Sequence, residues 1–255
     1  MKPTIAVPDA LQAFFREQPR LALAFSGGVD SGYLLYAAIA CGCDVRAYYA
    51  RSAFQPAFER ADAHRLAETL GADMVEVPLD VLSVEAVRAN PQNRCYYCKQ
   101  AIFTALLDAA RGDGYAAVMD GTNASDDAGD RPGMRALQEL SVLSPLRLCG
   151  VTKAQVRAFS REAGLFTWDK PAYACLATRI PAGTAITQEM LSRVEGAETA
   201  LFDLGYTDFR VRLFNGAARL QLPADQLARA VEGREAIRKA LLPCFETVLL
   251  DLKER

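Results

Sequence analysis

Ser26-Gly27-Gly28-Val29-Asp30-Ser31 stands between an apolar run, Leu21-Ala22-Leu23-Ala24-Phe25, and a second one, Tyr33-Leu34-Leu35-Tyr36-Ala37-Ala38-Ile39. The first run predicts a buried strand and the second a buried helix, so the polar hexapeptide falls on a strand-to-helix turn. Two glycines there let backbone N–H groups approach an anion closely. The helix N-terminus adds positive dipole, and Ser26 and Ser31 add hydroxyl donors. Asp30 has the charge to hold Mg²⁺ against phosphates. The lysine of a Walker A loop is missing, which sets this turn apart from the usual cradle of a γ-phosphate.

Working outward, residues 9–18 read as a short helix and 44–50 as a second strand. Residues 55–70 read as a helix ending at Gly71, 73–77 as a third strand and 115–120 as a fourth. Strands alternating with helices predict an α/β fold, a parallel sheet with helices on both faces. Ligands of such sheets sit at the carboxyl ends of strands, and the polar turns after Phe25 and after Met119 both fall there. The pattern changes after about residue 172. Residues 187–204 are helical, 209–214 and 218–222 form a strand pair around Asn215-Gly216, 223–242 is helical again, and 245–250 is a closing strand. Two domains are expected, 1–172 and a smaller α+β domain at 173–255.

A chain of 255 residues, 51% hydrophobic and 24% charged, can bury a large core and carry a second, smaller one. Its net charge of −2 lacks the basic excess of a protein whose main partner is nucleic acid. No run of ~18 apolar residues predicts a membrane span. Met1 to Gln18 carries Asp9, Arg16 and Glu17 without a signal-peptide core, which predicts a cytoplasmic protein. Seven cysteines is an odd count and argues against a disulfide framework. A cysteine that matters here acts as a thiol or a ligand.

The Ser26–Ser31 turn resembles the PP-loop of ATP pyrophosphatases, which bind pyrophosphate and cut ATP between its α and β phosphates. Such cleavage turns a poor leaving oxygen into AMP, a good one, and a nitrogen or sulfur nucleophile then arrives. The remaining motifs choose between them. Asn90-Pro91-Gln92-Asn93-Arg94-Cys95-Tyr96-Tyr97-Cys98-Lys99, Asp120-Gly121-Thr122-Asn123, Arg131-Pro132-Gly133, Ser144-Pro145-Leu146 and Thr152-Lys153 follow one another in the order of one family. So does Trp168-Asp169-Lys170-Pro171-Ala172-Tyr173-Ala174-Cys175-Leu176-Ala177-Thr178-Arg179-Ile180-Pro181. Over roughly residues 18–225 the chain resembles the LarE family, ATP-dependent sacrificial sulfur transferases of nickel-pincer nucleotide synthesis.

That resemblance implies ATP and Mg²⁺ as cofactors, a small nucleotide as substrate, and a trimer-based homo-oligomer such as a hexamer. It implies that a carboxylate of pyridinium-3,5-biscarboxylic acid mononucleotide is adenylated. A cysteine thiolate then displaces AMP, and C–S cleavage leaves a thiocarboxylate on the product and dehydroalanine in the protein. Cys175 matches the sacrificial cysteine, and Gly121, Thr122 and Asn123 match the segment that borders the nucleotide. Arg210 and Arg212 match a pair associated with the substrate phosphate, and Arg179 is assigned to the substrate with them. Some relatives carry three cysteines in this region and an iron–sulfur cluster; this chain has only Cys175 between Ala174 and Asn215, which favours the sacrificial version.

Read without the family, the same residues have plainer alternatives. Cys175 is either a small buried hydrophobe or a thiol activated by Lys170 and Arg179, which lie close along the chain. Arg210 and Arg212 alternate on one strand face, which suits either solvent or the bidentate recognition of a phosphate. Cys95-Tyr96-Tyr97-Cys98 is a lone CxxC, open to a metal, to redox use or to a structural place, because a four-thiolate zinc site needs a second pair. Asp126 and Asp127 read as turn residues rather than metal ligands, His64 as an exposed helix residue and Trp168 as packing rather than a base-stacking platform. One histidine in the chain leaves little room for a Ser-His or Cys-His pair. Rival functions are a PP-loop amidotransferase of the NAD synthetase kind, which needs no cysteine at 175, a tRNA-thiolating enzyme, which brings a basic RNA-binding module, and a non-catalytic ATP-binding module, which releases no pyrophosphate.

Overall fold

A computed structural model describes residues 7–126 and 132–254. Asp127 and Arg131 lie outside the described residues. The elements run α1 (Asp9–Glu17), β1 (Arg20–Ala24), α2 (Val29–Ala40), β2 (Asp44–Arg51), α3 (Ala57–Leu70) and β3 (Met74–Pro78). Next come α4 (Glu85–Arg88), α5 (Arg94–Gly112), β4 (Val118–Met119), α6 (Pro132–Glu139), α7 (Pro145–Leu148) and α8 (Lys153–Glu162). A 3₁₀ turn (Leu176–Arg179) leads into α9 (Gln188–Asp203), β5 (Arg210–Phe214), β6 (Ala217–Gln221), α10 (Ala224–Glu232), α11 (Arg234–Leu241) and β7 (Val248–Leu250).

The chain divides into two compact units, Met1–Val81 with Asn93–Ala172, and Leu82–Gln92 with Tyr173–Arg255. The sequence reading puts residues 82–92 in the first domain, whereas the structure assigns them to the second unit. The Asn90 side-chain amide explains this: it donates to the backbone carbonyls of Pro181 at 2.9 Å and Thr184 at 3.1 Å. Asn90 is buried, and the Gly183 and Ile186 amides bond back to the Asn90 and Arg88 carbonyls.

The first unit is α/β. Its sheet has the order β3-β2-β1-β4 with all neighbours parallel. Side chains alternate across it as a strand requires. Leu21, Leu23 and Phe25 join one buried cluster with Val29, Tyr33 and Leu34 of α2, while Ala22 and Tyr48 join another with Leu106, Leu107 and Ala110 of α5. Each buried leucine contributes about 1.5–3 kcal/mol of apolar transfer. Both faces are therefore covered, which is why β1 reads as a continuous apolar run. From β1 the chain steps to β2 and β3 on one side, and β4 is laid on the other. The strand order thus reverses between β1 and β4, where open α/β sheets bind ligands.

β4 is two residues long, shorter than the 115–120 expected. Leu143 occupies its outer edge, bonding Val118 and Asp120 through the backbone, and only Val118 and Met119 register with β1. The nineteen-residue α5 is not anticipated by the sequence reading.

In the second unit β5 and β6 form a hairpin turned by Asn215 (φ +48°) and Gly216 (φ +81°), both left-handed as a type I′ turn demands. β7 lies parallel beside β6. The stretch expected as one helix over 223–242 is two helices that meet at Gly233. A Cβ there would come 3.1 Å from the Arg229 carbonyl oxygen and 3.2 Å from the Tyr206 hydroxyl. No helix among the described residues is long and apolar enough to cross a membrane.

Candidate active site

At the carboxyl end of β1 the chain turns through Ser26-Gly27-Gly28 into α2. Gly27 adopts φ +70°, and a Cβ on it would sit 2.7 Å from the Ala63 Cα, so α3 lies against a backbone that only glycine fits. The neck of the turn is closed by its serines. The Ser26 amide donates to Ser31 Oγ at 3.2 Å, the two hydroxyls are 3.1 Å apart, and the Gly28 amide donates to Ser26 Oγ at 3.4 Å. Gly28 is the N-cap of α2, and Asp30 lies in that helix's first turn.

The second polar turn comes to meet it. A Cβ on Gly121 would lie 2.9 Å from the Ser31 amide nitrogen and 3.2 Å from the Asp30 Cβ, so the backbone after β4 runs directly along the start of α2. Asn123, itself buried, donates its side-chain amide to Asp30 Oδ1 at 3.1 Å. Thr122 points elsewhere: its hydroxyl and amide both bond the buried Asp120 carboxylate, which also accepts from the Ser144 hydroxyl at 2.7 Å. Asp126 is a turn residue as expected, its carboxylate accepting from the Asn123 amide.

The residue that sequence reasoning missed is Lys153. Its ammonium donates to Asp30 Oδ2 at 2.5 Å. Thr152 caps α8 in a box with Gln155, and the Lys153 amide donates to Ser125 Oγ at 3.0 Å, which fixes where the lysine starts. The turn without a Walker lysine receives one from a distant helix start. Thr152-Lys153 followed by Gln155 was a legible cap signal, but nothing in the pattern says where the side chain points.

Asp30 therefore sees one full positive charge and one amide. That environment fits a carboxylate able to face a cation. Among the described residues no group of three His, Cys, Asp or Glu side chains is placed to hold a metal by itself. Cys95 and Cys98 begin α5, with Cys95 exposed and Arg94 Nη2 4.0 Å from its sulfur.

In the second unit, Cys175 is the N-cap of the 3₁₀ turn and is partly exposed. Arg179, expected on the substrate, is instead wholly buried. It meets Glu198 in a two-pronged pair at 2.8 and 3.0 Å, and its Nη1 donates to the Ala174 carbonyl and the Thr178 hydroxyl, each at 2.8 Å. Lys170, expected to activate the thiol, is bound by Asp62 at 2.7 Å and Glu59 at 3.5 Å. Both cations that lie near Cys175 in sequence are thus already paired with carboxylates. Glu198 also accepts from the Tyr173 hydroxyl and from the Val211 amide at 2.9 Å.

Arg210 and Arg212 do share one face of β5, and that face is not a solvated one. Arg210 is 7% exposed and stacks over the Tyr173 ring at 5.2 Å. Arg212 donates to the Thr178 carbonyl at 2.7 Å and to Gln221. Burial, and then the charge of Arg179, lower the pKa of both guanidinium groups. Arg179, Arg210 and Arg212 thus gather around the buried Glu198 carboxylate, with the charges of Arg219 and Asp251 also reaching Arg212.

No family model matches the chain. Among curated proteins, the pyridinium-3,5-bisthiocarboxylic acid mononucleotide synthase of Lactiplantibacillus plantarum is 35% identical over 98% of this chain and 92% of its own length. The chain belongs to that family. An uncharacterized protein of Synechocystis is 39% identical over 88% of this chain and 84% of its own. A tRNA-specific 2-thiouridylase of Frankia casuarinae is 30% identical over 60% of this chain and 53% of its own. In this LarE-family protein the parallel sheet and its glycine turn are those of a PP-loop enzyme.

Proposed function

We propose that the protein is an ATP-dependent sacrificial sulfur transferase acting on pyridinium-3,5-biscarboxylic acid mononucleotide in nickel-pincer nucleotide synthesis. ATP is gripped by Ser26, Gly27, Gly28 and Ser31, with Gly121 and Asn123 alongside. Lys153 supplies positive charge to the pyrophosphate end. Asp30 would hold Mg²⁺, which neutralises charge on the departing pyrophosphate. A substrate carboxylate attacks the α phosphate, giving an acyl adenylate and pyrophosphate. The Cys175 thiolate displaces AMP to form a thioester, and cleavage of its Cβ–S bond releases the thiocarboxylate. Arg210 and Arg212 bind the substrate phosphate, where planar donors recognise an anion better than a point charge.

One observation supports this reading beyond family membership: Cys175 heads a turn behind which Arg179, Arg210 and Arg212 gather around Glu198, and guanidinium groups suit an anionic substrate. The test is a single incubation with ATP, Mg²⁺ and the mononucleotide. AMP, pyrophosphate and at most one thiocarboxylate per chain are expected, and a Cys175→Ala variant should still form pyrophosphate but no thiocarboxylate.

We further propose a cytoplasmic, trimer-based homo-oligomer. Phe214, Leu242 and Leu249 are exposed around a cavity of about 670 Å³ in the second unit, an apolar surface suited to self-association. Light scattering at the monomer mass across the micromolar range would contradict it.

A further inference from the structure

The carbonyl oxygen of Cys175 is surrounded by donors. The Thr178 amide reaches it at 3.0 Å, the Thr178 hydroxyl at 2.8 Å, and Arg179 Nη1 at 3.5 Å. The same Nη1 donates at 2.8 Å to Thr178 Oγ1, so the arginine charge also reaches the carbonyl through a polarised hydroxyl. One of these bonds is ordinary, since an N-cap carbonyl accepts the first bond of its turn. The other two are additions, and the second of them draws on a buried charge. Glu198 binds Nε and Nη2 of Arg179, which leaves Nη1 aimed at the turn. Tyr173 and the Val211 amide hold Glu198 in place.

We propose that this cradle is an oxyanion hole for the enolate of Cys175 itself, and that Thr178 is a catalytic residue of the carbon–sulfur cleavage step. The inference rests on Cys175 being the sulfur donor. Once the sulfur is acylated, cleavage is a β-elimination. The Cα–H bond breaks and its proton passes to water. The electron pair left on Cα is delocalised onto the Cys175 carbonyl oxygen as an enolate. That pair then forms Cα=Cβ while the Cβ–S bond breaks, its electrons leaving on sulfur as the thiocarboxylate. Nothing is oxidised or reduced, and the chain retains dehydroalanine. An ordinary peptide Cα–H is a very weak acid, so the step needs donors aimed where the charge develops. Thr178 contacts that oxygen directly, whereas Arg179 acts partly through Thr178, and Glu198 positions Arg179.

The experiment follows the intact protein through one turnover with ATP, Mg²⁺ and the mononucleotide, comparing wild type with Thr178→Val and Thr178→Ser. Removing one oxyanion donor typically costs ~10²–10³ in rate. Thr178→Val should form the Cys175 thioester at the wild-type rate but convert it to dehydroalanine about a hundredfold more slowly, so the heavier adduct accumulates. Thr178→Ser, which keeps the hydroxyl, should restore conversion to within about tenfold of wild type. If the valine variant does not fold, Thr178→Ala takes its place, with the same accumulation of adduct expected. Adduct decay at the wild-type rate in the valine or alanine variant would overturn the cradle while leaving Cys175 as donor. A wild-type chain that makes thiocarboxylate with neither adduct nor dehydroalanine would overturn both.

Discussion

Lys153 donates to the carboxylate of Asp30 across 123 positions of sequence, and the bond joins the start of α8 to the start of α2. It places an ammonium at a loop whose own sequence has none. The proposed role of that charge at the pyrophosphate end of ATP gives the first prediction. A charge-assisted bond to an ionised partner contributes about 1.5–3 kcal/mol. Lys153→Met should therefore lower kcat/KM for ATP roughly ten- to a hundredfold with mononucleotide affinity unchanged. Asp30→Ala should abolish AMP and pyrophosphate release. Appearance of ADP and phosphate in the wild type would contradict the cleavage site.

Gly27 gives a stability prediction. Its φ of +70° and the 2.7 Å approach of Ala63 exclude a side chain. Left-handed backbone alone costs an ordinary residue roughly 1–2 kcal/mol, and the clash adds to that. Gly27→Ala should lower the thermal midpoint and ATP affinity together. Gly42, also left-handed but with nothing within 4 Å of its would-be Cβ, serves as the control that loses stability only.

The arginines of β5 separate binding from architecture. Arg212→Ala should weaken mononucleotide binding roughly ten- to a hundredfold, the range of a lost charged hydrogen bond, with ATP affinity unchanged by calorimetry. A solvated charge would shift stability by about 0.5 kcal/mol at most and leave sulfur transfer alone.

Glu198 is buried with a bidentate arginine, so truncating it leaves a charge without its counterpart. Breaking such pairs costs about 3–5 kcal/mol. Glu198→Ala should show that loss in urea unfolding. Equal midpoints for variant and wild type would mean that the pair does not organise the second unit.

How much of this was legible depended on range. The β1–turn–α2 segment was readable because its signals are local: an apolar run, two glycines and a helical run in direct succession. The Asn215-Gly216 hairpin was readable for the same reason. α5 is not anticipated although Phe103, Leu106, Leu107 and Ala110 are spaced for one helical face, and its first turn, Arg94-Cys95-Tyr96-Tyr97, carries no side-chain cap or acidic residue to mark a helix start. Chain proximity misled at Lys170 and Arg179, whose carboxylates come from α3 and α9. Lys153 and Glu198 act through contacts with distant segments, and no periodicity encodes those. Residues 82–92 belong to the second unit because the Asn90 side-chain amide and the Arg88 and Asn90 carbonyls bond a loop about ninety positions later.

The most direct test of the account is the intact mass of the wild-type chain after one incubation with ATP, Mg²⁺ and mononucleotide, followed by peptide mapping. The account predicts a chain lighter by one H₂S for each thiocarboxylate formed, with dehydroalanine at position 175. An unchanged chain mass alongside thiocarboxylate in excess of protein would contradict it.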